Sequence, residues 1–108
     1  MKDTQRKGRR LTVQVKDKIL KTFKHLRPDD VVVAAAGQQG EDIKLSKTAK
    51  RLFPYQVECK AQERLKQLFK FWKQTKGHGN KQPLLIVKMN GTEPLAILDL
   101  DHFFELVE

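Results

Sequence analysis

The chain holds a single cysteine, Cys59, in 108 residues. No internal disulfide can form, so a small fold stapled by sulfur is excluded, and a lone thiol fits a reducing cytoplasm. No apolar run approaches the roughly 18 residues that cross a bilayer. The basic start lacks the apolar stretch of a secretory leader, so no membrane partner is expected. Three histidines, His25, His78 and His102, are isolated from one another and from Cys59, which argues against a zinc site. Gly37-Gln38-Gln39-Gly40 has no following Gly-Lys-Ser/Thr, so a nucleotide-binding loop and a small-molecule cofactor are not indicated. Acids are also scarce. Thirteen Asp and Glu stand against twenty-two Lys and Arg, a net charge of +9. On so short a chain that excess points to a polyanionic partner, nucleic acid first.

The charge is distributed unevenly. Residues 1–10 carry Lys2, Arg6, Lys7, Arg9 and Arg10 against Asp3, while residues 99–108 carry four acids and no base. Residues 1–10 have no apolar residue after Met1 and contain Gly8, so they are expected as a basic flexible arm with Lys7, Arg9 and Arg10 on phosphate. Residues 11–108 are expected as one domain. The spacing of Val15, Ile19, Phe23 and Leu26 predicts a helix over 11–26, capped by Thr12 and stopped by Pro28. A continuous run, Val31 to Ala36, predicts a strand buried on both faces. Ser46 is placed to cap a short helical turn ending near Phe53-Pro54. A second long helix is expected over 61–76. Its apolar stripe is Ala61, Leu65, Leu68, Phe69 and Trp72, and Lys66, Lys70 and Lys73 form a separate basic stripe suited to a nucleic-acid backbone. Leu84–Val87 reads as a buried strand, Asn90-Gly91 as a hairpin turn, Leu95–Leu98 as its return, and Asp101 as the cap of a last short helix.

The informative stretch lies between these elements. Tyr55-Gln56-Val57-Glu58-Cys59-Lys60 alternates with period two, so Tyr55, Val57 and Cys59 are expected to face a core while Gln56, Glu58 and Lys60 share the other face. Asp42-Ile43-Lys44-Leu45 alternates likewise, with Asp42 on the polar side. If the two strands are neighbours, Asp42, Glu58 and Lys60 converge. Two carboxylates beside an ammonium suit a divalent metal next to a phosphate. Pro28-Asp29 offers another Asp but precedes the first strand, and Glu41 neighbours Asp42 with the opposite orientation.

The arrangement Asp-x15-Glu-x-Lys resembles the PD-(D/E)XK nuclease superfamily, and within it the small phage-type endonucleases and Holliday-junction-resolvase-like nucleases. The resemblance rests on Lys7-Gly8-Arg9-Arg10, Gly40-Glu41-Asp42, Ser46, Phe53-Pro54-Tyr55 and Val57-Glu58-Cys59-Lys60 taken in order. It implies an α/β fold with a restriction-endonuclease-like core, a mixed five-stranded sheet flanked by helices in the order αβββαββα. It implies a metal-dependent DNA endonuclease that hydrolyses phosphodiesters, structure- or branch-directed, acting as a homodimer. Catalytic residues would be Asp42, Glu58 and Lys60. Asp42, Glu58 and the Cys59 carbonyl would hold Mg2+ or Mn2+, with Glu41 and Gln74 in supporting positions. An inactive nucleic-acid-binding module of the same fold is the alternative, and a small basic protein that binds RNA or an acidic protein partner is the third.

Overall fold

A computed structural model describes residues 3–108. The chain divides into two compact units, one running to Gln62 and taking in Val107–Glu108, the other Glu63–Leu106.

The first unit opens with helix α1, Asp3–Thr22. The helix begins well before Leu11, so Lys7, Gly8, Arg9 and Arg10 are helical residues where an arm was expected; residues 1–2 of that arm lie outside the described residues. Val15 and Ile19 are buried on one face, as is Leu26 beyond the helix end, while Phe23 is half-buried. Thr12 is not a cap. It is buried more than two turns inside the helix, and its hydroxyl donates to the Gly8 carbonyl at 2.8 Å. After Pro28–Asp30, a turn of 3-10 helix, strands β1 (Val31–Val33) and β2 (Ile43–Leu45) pair antiparallel with Val31 opposite Leu45 and Val33 opposite Ile43. Val31 and Ile43 are fully buried on the inner face, whereas Val32 on the outer face is exposed, so β1 is buried on one side only. Helix α2, Lys47–Leu52, begins at the expected cap: Ser46 Oγ accepts from the Ala49 N–H at 3.1 Å. The same hydroxyl donates to Asp30 Oδ1 at 2.7 Å, which ties α2 to the turn before β1. Ala49 and Phe53 complete the core, and Phe53 meets Phe23 at 6.2 Å and Tyr55 at 4.8 Å between ring centroids.

The second unit contains a 3-10 turn at Glu63–Leu65, helix α3 (Lys66–Lys76), strands β3 (Leu85–Val87) and β4 (Leu95–Ile97), and all but the last residue of helix α4 (Leu100–Val107). β3 and β4 form an antiparallel hairpin with Ile86 opposite Ala96. Gly91 has φ +80° while Asn90 keeps a negative φ, and the Thr92 N–H donates to the Met89 carbonyl at 3.1 Å. A glycine third in a four-residue turn is the type II requirement. Leu84 and Ile86 are exposed, so this strand too is buried on one side at most. Asp99, not Asp101, caps α4, its Oδ2 accepting from the His102 N–H at 3.1 Å.

The five-stranded mixed sheet is therefore corrected: the described residues form two separate two-stranded antiparallel sheets. The segment 55–60 is not a strand, and the reason is local. Its backbone meets the residue just before β2, where the Asp42 N–H donates to the Val57 carbonyl at 2.8 Å. The next donor, the Cys59 N–H, is taken at 2.6 Å by the Asp42 side chain and not by a carbonyl. A side chain that captures a backbone donor ends the ladder there.

Candidate active site

The residues that position Asp42 are those of the β1–β2 ladder. The Ala34 N–H donates to the Asp42 carbonyl at 2.9 Å, one step past the last strand pair, so Asp42 stands at the ladder's end. Between the strands Gly37, at φ +79°, lets the chain turn sharply, with Gln38 N–H on the Ala35 carbonyl and Gln38 Oε1 accepting the Ala35 N–H, both at 3.0 Å. Only glycine adopts that φ without strain.

Segment 55–60 keeps its alternation without being a strand. Val57 and Cys59 are half-buried; Gln56, Glu58 and Lys60 are exposed. Tyr55 is exposed where a core position was expected, since its ring lies against Phe53 at the edge of the unit's core. Glu58 and Lys60 therefore project to one side, with Lys60 Nζ 3.4 Å from Glu58 Oε1. Both side chains are more than half exposed, so this pair contributes little to stability.

These groups line one cleft of about 380 Å³ within the first unit. One wall is Asp42, Glu58, Cys59 and Lys60, a second is residues 33–38, and the third is the α1 stripe Gln5, Gly8, Arg9 and Thr12. The Cys59 thiol reports on the neighbourhood. Burial pushes it above the ordinary thiol range, a hydrogen bond with Thr12 opposes that, and the charges of Asp42 and Glu58 push it further up. Both carboxylates are thus close enough to one sulfur for their fields to be felt there. The cleft's charged side chains are balanced: Arg9 and Lys60 against Asp42 and Glu58.

Not every expected residue is in this cleft. Glu41 lines a separate groove with Gly40, Gln56, Val57 and Glu58, which makes Glu58 the wall common to both. Lys7 and Arg10 lie on α1 away from the cleft lining, and Arg6, Arg9 and Arg10 together border another shallow surface. Gln74, Lys66, Lys70 and Lys73 belong to α3 of the second unit, where Gln74 lies beside Lys70 and Lys73. The contribution of Gln5, Gly8 and Thr12 went unread in the sequence. Their spacing at helical intervals was the available signal, and it is visible only once α1 is extended upstream of Leu11.

Among the described residues no group of three or more His, Cys, Asp or Glu is gathered into a ready-made cluster. The donors present still suit a hard cation. Mg2+ keeps several waters and takes one or two carboxylates together with substrate phosphate, and a carboxylate held through one oxygen can coordinate through the other. Among the described residues no helix is long and apolar enough to cross a membrane. Compared with protein-family models, curated proteins and solved structures, the chain matches none.

Proposed function

We propose that the first unit is a metal-dependent DNA endonuclease, a phosphodiester hydrolase of the PD-(D/E)XK kind that the sequence resembles. The observation that carries this reading is the single cleft lined by Asp42, Glu58, Lys60 and Arg9. Asp42, Glu58 and the Cys59 carbonyl are the groups that would hold Mg2+ or Mn2+. Such an ion, when bound, polarises a phosphate and acidifies a water.

The chain's own groups supply the rest. The Cys59 N–H fixes the orientation of the Asp42 carboxylate through Oδ2. Lys60, which lies on the same side as Glu58, would orient the attacking water, assist its deprotonation and offset phosphate charge. Arg9 offers a guanidinium whose planar fork matches two phosphate oxygens. A cleft with balanced charge becomes cationic when a divalent ion joins it, which favours a phosphodiester. Binding outside the cleft falls to the basic surface of α1, with Lys7 and Arg10, and to Lys66, Lys70 and Lys73. By the same resemblance the chain acts as a homodimer on structured or branched DNA, in the cytoplasm of a bacterium or a phage-infected cell.

The test is incubation of the protein with linear, supercoiled and branched DNA, and with RNA, in Mg2+, Mn2+ or EDTA. Metal-dependent scission of DNA is expected. Binding without scission in either metal supports the inactive module instead.

A further inference from the structure

Helix α3 shows an aromatic residue in an unexpected place. Its inward stripe is Leu65 (the residue before the helix), Leu68, Trp72 and Thr75, all half-buried. Phe69, which the apolar pattern assigns to that stripe, is 62% exposed. Phe69 sits at the margin of the stripe, with Leu65 at i−4 and Trp72 at i+3 on its apolar side and Lys66 at i−3 and Lys73 at i+4 on the other. Lys76 follows one turn further on, and Lys70 lies just beyond Lys73 around the helix with Gln67 and Gln74 lining the same groove. All four of these lysines are exposed. Single exposed apolar residues are common, and what sets this ring apart is the row of lysines along one side of it. It is the pairing that proteins use for single-stranded nucleic acid: ammonium groups track the backbone and a ring receives the face of a base.

We propose that Phe69, with Lys66 and Lys73, is a stacking platform for an unpaired base of single-stranded DNA. The charge complementarity of the surrounding lysines selects a polyanion, and the exposed ring selects one whose bases are open; a closed duplex offers the phosphates without the base face. The choice of DNA over RNA rests on the reading of the first unit as a DNase. The platform itself needs no metal and no cleavage.

The experiment uses the full chain in EDTA, with fluorescence anisotropy of a short labelled oligothymidylate and of an abasic strand of equal length. The native protein is expected to bind the base-containing strand about tenfold more tightly than the abasic one. Phe69→Ala removes that difference and Phe69→Tyr keeps it. Circular dichroism should show both variants folded, because the ring is mostly outside. Lys73→Ala weakens both strands alike and lowers the salt slope by about 0.7, the value for one single-strand phosphate contact. Equal binding of the two strands by native protein, or an undiminished preference in Phe69→Ala, overturns the platform. So does sedimentation of a dimer that Phe69→Ala dissociates, or tighter Phe69-dependent binding of the matching RNA strand. A protein that discriminates the abasic strand but never cuts DNA fails only the nuclease reading. One that cuts without this discrimination fails only the platform.

Discussion

Asp42 grips the segment that carries Glu58 and Lys60 twice: its N–H donates to the Val57 carbonyl at 2.8 Å, and its Oδ2 accepts from the Cys59 N–H at 2.6 Å. The proposed metal ligand is therefore also what orients the rest of the site. The two roles can be separated. Asp42→Asn keeps an acceptor for the Cys59 N–H and removes the charge, so unfolding without metal should change little. Mg2+ or Mn2+ is expected to raise the Tm of the native protein by linkage, and Asp42→Asn should abolish that rise. Asp42→Ala leaves the amide without its partner and should cost about 1–3 kcal/mol. An equal metal shift in Asp42→Asn, read by thermal denaturation, would mean that the ligand is misassigned.

Asp30 makes stability depend on pH. Its carboxyl is held below the usual carboxylate range by the Arg27 N–H, then by the Ser46 hydroxyl, with a small assistance from the Arg27 charge. A depressed carboxyl favours the folded state once ionised. That contribution is present above the ordinary value of 3.8 and is lost as pH falls below it through the lower folded value. Asp30→Asn should flatten this part of the curve. Tm measured from pH 6 down to pH 2 checks it, and an equally steep acid loss in the variant would assign the effect elsewhere.

Gly8 is the third test, of α1. It lies inside the helix, and a Cβ built there meets nothing within 4 Å. Gly8→Ala should stabilise the protein by about 0.5–1 kcal/mol by removing conformational freedom from the unfolded chain. Urea denaturation gives the value. No gain would mean that residues 3–10 do not hold a helix in solution.

How much of this could be read beforehand depended on whether the information was local. The Val15–Ile19 face, the Ser46 cap and the alternation of Val57 and Cys59 with Glu58 and Lys60 follow from periodicity and short-range hydrogen bonding. Pairing partners do not. Alternation marks 55–60 as extended, but the competition of the Asp42 side chain for the Cys59 N–H decides that no third strand forms. The α1 extension was hidden because lysine and arginine are good helix formers that also mark disordered arms. Phe69 was misplaced because an apolar residue at the margin of a stripe can turn either way.

Arg9 distinguishes a cleft contact from general basicity. Arg9→Ala should reduce the log–log salt slope of duplex binding by about 0.9, one phosphate contact. Titration of labelled duplex at several salt concentrations measures the slope, and an unchanged value would remove Arg9 from the interface.

Lys60→Ala tests the proposed chemistry most directly, with folding, metal binding, DNA binding and cleavage measured on the same preparation. The exposed Lys60–Glu58 pair contributes little, so stability should stay within about 0.5 kcal/mol of native. Metal binding should hold or tighten, because a cation beside Glu58 is gone. DNA binding should weaken by no more than one phosphate contact. Cleavage should fall by about two or more orders of magnitude, as when a positioned acid–base group is lost. A variant that folds, binds both ligands and scarcely cuts is the predicted result; native turnover in Lys60→Ala would contradict the assignment of the cleft as the nuclease centre.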